Sequence, residues 1–453
     1  MTLGSRSAPR ADKPRWRIGQ GRLRGVMRSP IFGSMSIITV AMAMRLALQI
    51  LVFGIVATAM GAGEFGAFAS VAALAGIFSA FSGWGSDQLL LRRVGRAREE
   101  LPRALATTMA FVGLSAPPLV LLALAVVPFA IDSSVSWQLV LYISLADIGL
   151  ARISGLAGVC YQAVGRPMGN LRLSVGFGVA RVIAAVVWVS LAQHHDAVSW
   201  SRYYFGISAL AVGVSIWLIW RDLGAPEWKI AWHEWRDGFH FALQSASQTA
   251  FGSTDKPVIA ALADLPTAGL YAAASRIVNA AAIPVNALLF SAYVKFFQVG
   301  VSGPRNSARL AVRLLPAGMA LGVVGAVGTL VMAPLAPRIL GHSYMGTDVA
   351  LMILAPLPVL RAILSLGLDV LVSTGRTGLR TLAQIAMPLV NILLCVLLVP
   401  AHGAAGAALA ALLAHAGLTV GSWVIVAMLV RQQAAQVVRS VGMDKAGREP
   451  LAG

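Results

Sequence analysis

Charge is what this sequence has least of. Asp, Glu, Lys and Arg make up 12% of its 453 residues, about half the roughly 25% of an ordinary soluble domain. Acidic residues are the scarcer sign, 18 against 36 basic, for a net charge of +18. Cysteine is nearly missing: Cys160 and Cys395 are the only two, each inside or at the end of an apolar stretch. That excludes a disulfide framework and leaves no cysteine spacing for a metal site. What is abundant is apolar surface, 58% of residues, with a mean hydropathy of +0.77. These numbers exclude a soluble enzyme, a disordered chain and a disulfide-stapled secreted domain. They leave an all-α polytopic membrane protein.

A helix needs about 20 apolar residues to cross the hydrocarbon core. Twelve stretches qualify: 33–58, 64–86, 106–130, 136–161, 172–192, 202–220, 239–263, 267–293, 311–333, 347–372, 380–399 and 404–430. Barrel strands are excluded, because they alternate in polarity over about ten residues and these runs are longer and continuously apolar. The connections then sort by charge. The N-terminal tail, the even-numbered connections and the C-terminal tail carry 28 Lys and Arg. The odd-numbered connections carry two, Arg202 and Arg338. The positive-inside rule places both termini in the cytoplasm. The tail 1–30, with Trp16 among eight basic residues, reads either as an anchor on anionic lipid or as an arm that only sets topology. Ala57-Thr58-Ala59 mimics a signal cleavage site, but the apolar run before it exceeds the 7–15 residues of a signal core.

The connections are short, so no extramembrane domain is available to hold catalytic groups. Gly61-Ala62-Gly63-Glu64-Phe65-Gly66 matches the dinucleotide fingerprint, but it follows a membrane helix rather than a strand. His194-His195 with Asp196 reads as a polar turn, since nothing nearby completes a metal site.

An internal repeat is visible. Gly66-Ala67-Phe68-Ala69 recurs as Gly269-Leu270-Tyr271-Ala272, an offset of 203. Gly165-Arg166 with Leu171-Arg172 recurs as Gly375-Arg376 with Leu379-Arg380, an offset of 210. Equal orientation of the halves predicts two six-helix lobes related by an axis along the membrane normal. The expected division is a tail 1–30, a lobe 31–220, a cytoplasmic loop 221–238, a lobe 239–430 and a tail 431–453. Two lobes with a site between them suit alternating access.

Thr254-Asp255-Lys256 through Gly269-Leu270-Tyr271-Ala272-Ala273-Ala274-Ser275-Arg276 resembles the seventh and eighth helices of polysaccharide biosynthesis flippases. These belong to the multidrug/oligosaccharidyl-lipid/polysaccharide exporter superfamily. The likeness extends to the twelve helices, short loops and Gly-Arg turns. One departure is a missing proline at Ser291-Ala292-Tyr293, which leaves the bend of the eighth helix undetermined. The resemblance implies export of an undecaprenyl-diphosphate-linked oligosaccharide, of O-antigen or exopolysaccharide type, to the periplasmic face. It implies a polysaccharide polymerase and glycosyltransferases as partners beside membrane lipid, no nucleic acid, and no cofactor beyond a coupling proton or sodium ion.

Six cations lie within the spans: Arg45, Arg152, Arg181, Lys256, Arg276 and Arg361. Three mid-span anions accompany them: Asp147, Asp255 and Asp369. Each charge at the bilayer centre costs roughly 2.5–3.5 kcal/mol, so nine facing lipid would cost about 20–30 kcal/mol. They must face one another or water. Pairing three against three leaves an excess of cations, which suits an anionic ligand. Arg45, Arg276, Lys256, Arg181 and Arg361 are therefore the diphosphate candidates. The resemblance singles out Arg45 and Arg276, since cavity arginines on the first and eighth helices of lipid flippases are associated with the diphosphate. Asp255, Asp147 and Asp369 are candidates for ion coupling, with salt bridging the plainer role.

Helical spacing refines this reading. Arg361, Ser365 and Asp369 share a face. So do Gln244, Gln248, Phe251 and Asp255, with Lys256 turned about 100° away. Arg276 and Asn279 share one with Asn286, and Arg45 with Gln49. Ser174, Gly178, Arg181 and Ala185 form a stripe that reads either as a packing seam or as a cavity wall. Trp84, Asp87 and Cys160 read as interfacial. Two other functions are weighed against a flippase. A multidrug-extrusion antiporter should have an acidic or apolar cavity for cationic drugs. A membrane-embedded glycosyl transferase or ligase should cluster carboxylates or histidines near one face.

Overall fold

The structure, a computed structural model, describes residues 30–132, 134–300 and 303–446. Apart from Pro30, the expected N-terminal tail lies outside them, as does the tail beyond 446. Among the described residues there are helices and no strands.

Among the described residues eight helices are long and apolar enough to cross a membrane, or nine when the bent pair Leu265–Ala281 and Ile283–Tyr293 is taken as one span. Two of the eight are double. Pro30–Ser79 is broken at Gly61, whose φ of 76° and ψ of 171° lie in a region essentially reserved for glycine. The rings of Phe53 and Phe65 then sit 5.4 Å apart, where straight helix would separate them by about 18 Å. The chain therefore folds back there, and 30–60 and 62–79 are the first and second spans. Thr377–Ala446 is broken at Gly403 (φ 52°) in the same way. It gives an eleventh span, 377–402, and a twelfth from 404, whose helix continues to 446, well past the span end expected at 430. Trp235–Ser253 with Asp255–Leu262 forms the seventh span. It is less apolar because Gln244, Gln248, Asp255 and Lys256 interrupt it, and it completes twelve.

The remaining spans follow in order: Leu101–Ala130; Trp137–Ser144 running through Leu145–Leu150 into Ala151–Ala163; Pro167–Leu191; Ala197–Leu223; Leu265–Ala281 with Ile283–Gly300; Pro304–Leu340; and Thr347–Leu354 with Leu357–Ser373. The eighth span bends by 50° between its two parts. The missing proline at 291–293 is replaced in effect by Pro284, which cannot donate to the preceding turn.

The repeat is present in atomic detail. After the fourth span Arg166 N donates to Tyr161 O (2.8 Å) and Gly165 N to Gln162 O (3.0 Å). After the tenth, Arg376 N donates to Leu371 O (3.0 Å) and Gly375 N to Val372 O (3.0 Å). Both are Schellman caps with a left-handed glycine, φ 73° and 79°. The break at Ala355-Pro356 in the tenth span likewise stands 210 residues after the π-helical turn at Leu145–Leu150. Gly66 and Gly269 meet across the repeat axis. A Cβ on Gly66 would fall 1.8 Å from Leu265 O, and one on Gly269 1.9 Å from Ala62 O.

The packing reveals which side is open. On the side carrying the basic connections each lobe has its own core: Leu90, Leu105, Tyr161 and Ile219 in the first, and Phe296, Leu366, Leu371 and Leu429 in the second. On the opposite side one core joins both lobes, from Phe53, Phe65 and Trp188 to Tyr271, Tyr344 and Leu351. Tyr344 Oη donates to Ala57 O (2.9 Å) and Ala62 N to Ser343 Oγ (3.3 Å). The lobes thus close together on the poorly basic side. On the basic side, among the described residues, they touch along an edge where Trp84 packs on Trp235 and Phe239, with ring centroids 4.9 and 5.3 Å away. Arg93–Glu234 (2.6 Å) and Arg92–Asp237 (3.3 Å) reinforce that edge. The connection between the sixth and seventh spans is strapped to the third by Arg103–Glu227 (2.9 Å). Hydrogen bonds from Lys229 and Arg103 hold the Glu227 carboxyl below the usual range.

Candidate functional site

Among the described residues, each lobe holds a polar cavity within its spans. The first, about 590 Å³, is walled by the first, second, fourth, fifth and sixth spans, with Arg276 entering from the eighth. Arg45, Arg181 and Arg276 line it, with Asp147 the only carboxylate among its described lining residues. Asp147 stands in the π-helical turn of the fourth span, an irregularity common at functional sites. Tyr204 Oη donates to Asp147 Oδ1 (2.6 Å), and Arg181 Nη2 donates to Tyr204 Oη (3.4 Å). The Arg181 guanidinium lies 5.1 Å from the Tyr204 ring centre. Arg276 stacks near Phe53 and Phe65, at 5.5 and 6.0 Å. Aromatic faces favour a guanidinium without neutralising it.

None of Arg45, Arg181 and Arg276 forms an ion pair among the described residues, although other arginines of the chain do. Three fixed cations therefore face one carboxylate that is already hydrogen-bonded. Arg45 and Arg276 are exposed, both within this cavity. Such a site is chemically suited to a polyanion, which can take bidentate bonds from guanidinium forks.

The second cavity, about 350 Å³, belongs to the other lobe, and Asp255, Lys256, Tyr271, Asn279, Arg361 and His415 are among its lining residues. Three cations, Lys256, Arg361 and Arg380, face one carboxylate here too, but in this cavity the carboxylate is already in an ion pair. Lys256 Nζ donates to Asp255 Oδ1 (3.0 Å), Tyr271 Oη donates to Asp255 Oδ2 (2.6 Å), and Arg361 donates to Asn279.

The sequence candidates are thus divided: Arg45, Arg181, Arg276 and Asp147 gather in one cavity, and Lys256, Arg361, Asp255 and Asn279 in the other. Asp369 is buried at 7% exposure and lines neither cavity. Gln248 is exposed and lines neither. The side chain of Phe251 is outside the described residues. Arg152 is taken by Asp87 (3.4 Å) and by Ser82 O, so three-against-three pairing of mid-span charges does not occur.

Lys256 follows Asp255 in the helix Asp255–Leu262, one residue and so about 100° further round, and its long stem reaches back to that neighbour. One detail of helical spacing is corrected. Arg276 and Asn279 do not share a compartment, because the eighth span stands between the cavities and presents one to each. The small-residue stripe of the fifth span is both seam and wall. A Cβ on Gly178 would meet Leu48 at 2.8 Å, while Ser174 and Arg181 line the cavity. The sequence reading missed Tyr204, Tyr271, Phe53, Phe65 and His415. A tyrosine or phenylalanine within an apolar run carries no pattern that distinguishes it from core, whereas a mid-span histidine is a polar signal that was available.

No family model and no curated protein matches the chain. Solved structures do resemble it. An inward-facing multidrug resistance MATE family transporter of the MOP superfamily superposes with a TM-score of 0.68 at 12% identity, over 85% of this chain and 95% of that one. The lipid II flippase MurJ, in an inward closed conformation, gives 0.67 at 14% identity, over 86% and 87%. The MATE multidrug transporter DinF-BH in complex with R6G gives 0.60 at 14% identity, over 92% and 98%. The chain is a multi-pass membrane protein with the twelve-helix, two-lobe fold of these transporters and flippases.

Proposed function

We propose that this protein is a flippase moving an undecaprenyl-diphosphate-linked oligosaccharide from the cytoplasmic to the periplasmic leaflet of the bacterial inner membrane by alternating access. One observation carries the reading: Arg45, Arg181 and Arg276 converge unpaired on a cavity with one carboxylate. The diphosphate is the constant part of such a lipid, so these three guanidiniums hold it while the sugar occupies the cavity. The joined core at the poorly basic ends and the separate cores at the basic ends correspond to the state that loads from the cytoplasm. Lys256 with Asp255, and Arg361 with Asn279, form a second polar station in the other lobe, where Asp255 is suited to a coupling proton or sodium ion. Transport makes and breaks no bond in the cargo.

A multidrug antiporter is the second reading, favoured by the aromatic lining of Phe53, Phe65, Phe68 and Tyr204 around Asp147. The TM-scores of 0.68 and 0.67 do not separate the two. The charge of the cavity favours the flippase reading, because three cations repel a cationic drug. Purified protein in proteoliposomes should move a fluorescent undecaprenyl-diphosphate-linked oligosaccharide between leaflets and leave a cationic dye in place. Dye transport without lipid movement would reverse the assignment.

A further inference from the structure

Two apolar grooves run end to end beside the fifth and sixth spans, outside the cationic cavity. The first, about 900 Å³, has Arg166, Arg172 and Arg221 among its lining residues. All three belong to the ends of spans on the basic side. Arg221 is engaged by Asp222 (2.7 Å), whereas Arg166 and Arg172 make no ion pair among the described residues. Toward the middle of the spans the lining becomes Phe177, Ile207, Leu210, Val214 and Leu218. The second groove, about 600 Å³, continues along the same two helices toward Arg202. Ala180, Ile207 and Leu210 line both grooves.

The first groove also borders the cationic cavity. Ala151, Ser154, Leu173, Phe177 and Arg181 line both spaces. Arg181 therefore stands at a window: one side faces an apolar channel, the other the unpaired guanidiniums.

We propose that the groove between the fifth and sixth spans holds the polyprenyl chain of the lipid whose diphosphate occupies the cavity. This rests on the flippase reading above. Arg166 and Arg172 meet the diphosphate at the inner surface, and the window at Ser154, Phe177 and Arg181 passes it inward while the chain stays in the groove.

Length selects this occupant over a phospholipid. From Arg166 to Val187 the fifth span rises about 30 Å, the full thickness of the hydrocarbon core. A phospholipid acyl chain is confined to one leaflet and would fill about half of it. A long polyprenyl chain can fill it all, and the window joins chain and diphosphate in one molecule.

Two glycines allow the groove to be filled without disturbing the fold. Gly176 lines the first groove and Gly206 the second, and a Cβ on either meets nothing within 4 Å. Both are helical, so replacement also favours the helix. The test uses full-length protein and undecaprenyl diphosphate carrying a diazirine near the end of its chain. Photolabel should appear on the fifth and sixth spans and be displaced by unlabelled undecaprenyl diphosphate. Gly176→Phe and Gly206→Phe should each weaken binding of this probe roughly tenfold. Binding of a short-chain, water-soluble prenyl diphosphate sugar, which needs only the cavity, should be unchanged in both.

Displacement of the label by phosphatidylglycerol as readily as by undecaprenyl diphosphate would overturn the proposal, as would wild-type affinity for the long-chain probe in both folded variants. In either case retained short-chain binding would leave the flippase reading standing. Failure of wild-type protein to bind the short-chain compound would remove the flippase reading, and the groove assignment with it.

Discussion

Arg276 is the most informative single side chain. A structural cation is expected opposite a carboxylate, and the neighbouring seventh span carries one, Asp255. Asp255 is instead held by Lys256 and Tyr271 in the other lobe, while Arg276 faces Phe53 and Phe65. Removing Arg276 therefore strands no buried anion. Arg276→Ala should leave protein abundance within experimental scatter and abolish lipid transport per inserted molecule. Arg276→Lys should keep part of it, since the charge survives while the planar fork is lost. Adding Asp255→Asn should restore nothing. A fall in abundance that Asp255→Asn repairs would show that the two residues form a structural pair. Arg45 and Arg276 were legible in the sequence because a charge within a span is rare and expensive. Tyr204 was not: only the fold brings its hydroxyl to Asp147.

Among the helices, the crossing of Gly66 and Gly269 fixes how closely the second and eighth spans approach. Gly66→Ala would place a methyl 1.8 Å from Leu265 O, so the backbones must separate. Overpacking of this kind costs about 1–3 kcal/mol, and the melting temperature of the purified protein should fall. Gly63→Ala is the control one turn away, because its Cβ would meet Pro266 at 3.6 Å, an ordinary contact. Its melting temperature should be unchanged or slightly raised. Equal losses at the two positions would contradict the close crossing. The strap at Glu227 makes a smaller prediction. Its carboxyl is held below the usual range by Lys229 and Arg103, so its stabilising contribution is present above the unfolded carboxylate pKa and is lost as pH falls through the lower folded value. Glu227→Gln should flatten that acid-side loss in a thermal melt followed against pH. The helices themselves were legible because hydrophobic length specifies a span, and the Gly-Arg turns because a left-handed cap selects glycine. The breaks at Thr254 and Ala355 had a partial signal in Pro257 and Pro356, neither of which can donate to the preceding turn. They depend on polar backbone being satisfied by neighbouring helices or cavity water, which is a property of the packed bundle.

For the whole molecule, the arrangement of cores predicts access from one side. Cys160 and Cys395 are buried, so added cysteines report with little background. Asn170→Cys should react with a membrane-impermeant thiol reagent supplied on the side of the basic connections. Ala57→Cys, at 0% exposure in the joined core, should resist it from either side. Reporter fusions after residues 132, 196 and 402 should register as periplasmic and those after 98, 229 and 376 as cytoplasmic. A cytoplasmic signal at 196 would reverse the assignment of both termini. The two-lobe plan was visible in the sequence through its repeats. The assignment of charges to separate cavities was not, because helical periodicity gives the face of one helix and says nothing about which lobe that face meets.

The central claim is that the first-lobe cavity holds a lipid diphosphate through Arg45, Arg181 and Arg276. Equilibrium binding of a short-chain prenyl diphosphate sugar to the purified protein tests it most directly. The wild type should bind saturably and more weakly as salt screens the guanidiniums. The combined Arg45→Ala, Arg181→Ala and Arg276→Ala variant should not bind, while Lys256→Ala with Arg361→Ala should bind as the wild type does. Undiminished binding by the triple variant, or loss of binding in the Lys256 and Arg361 variant alone, would contradict it.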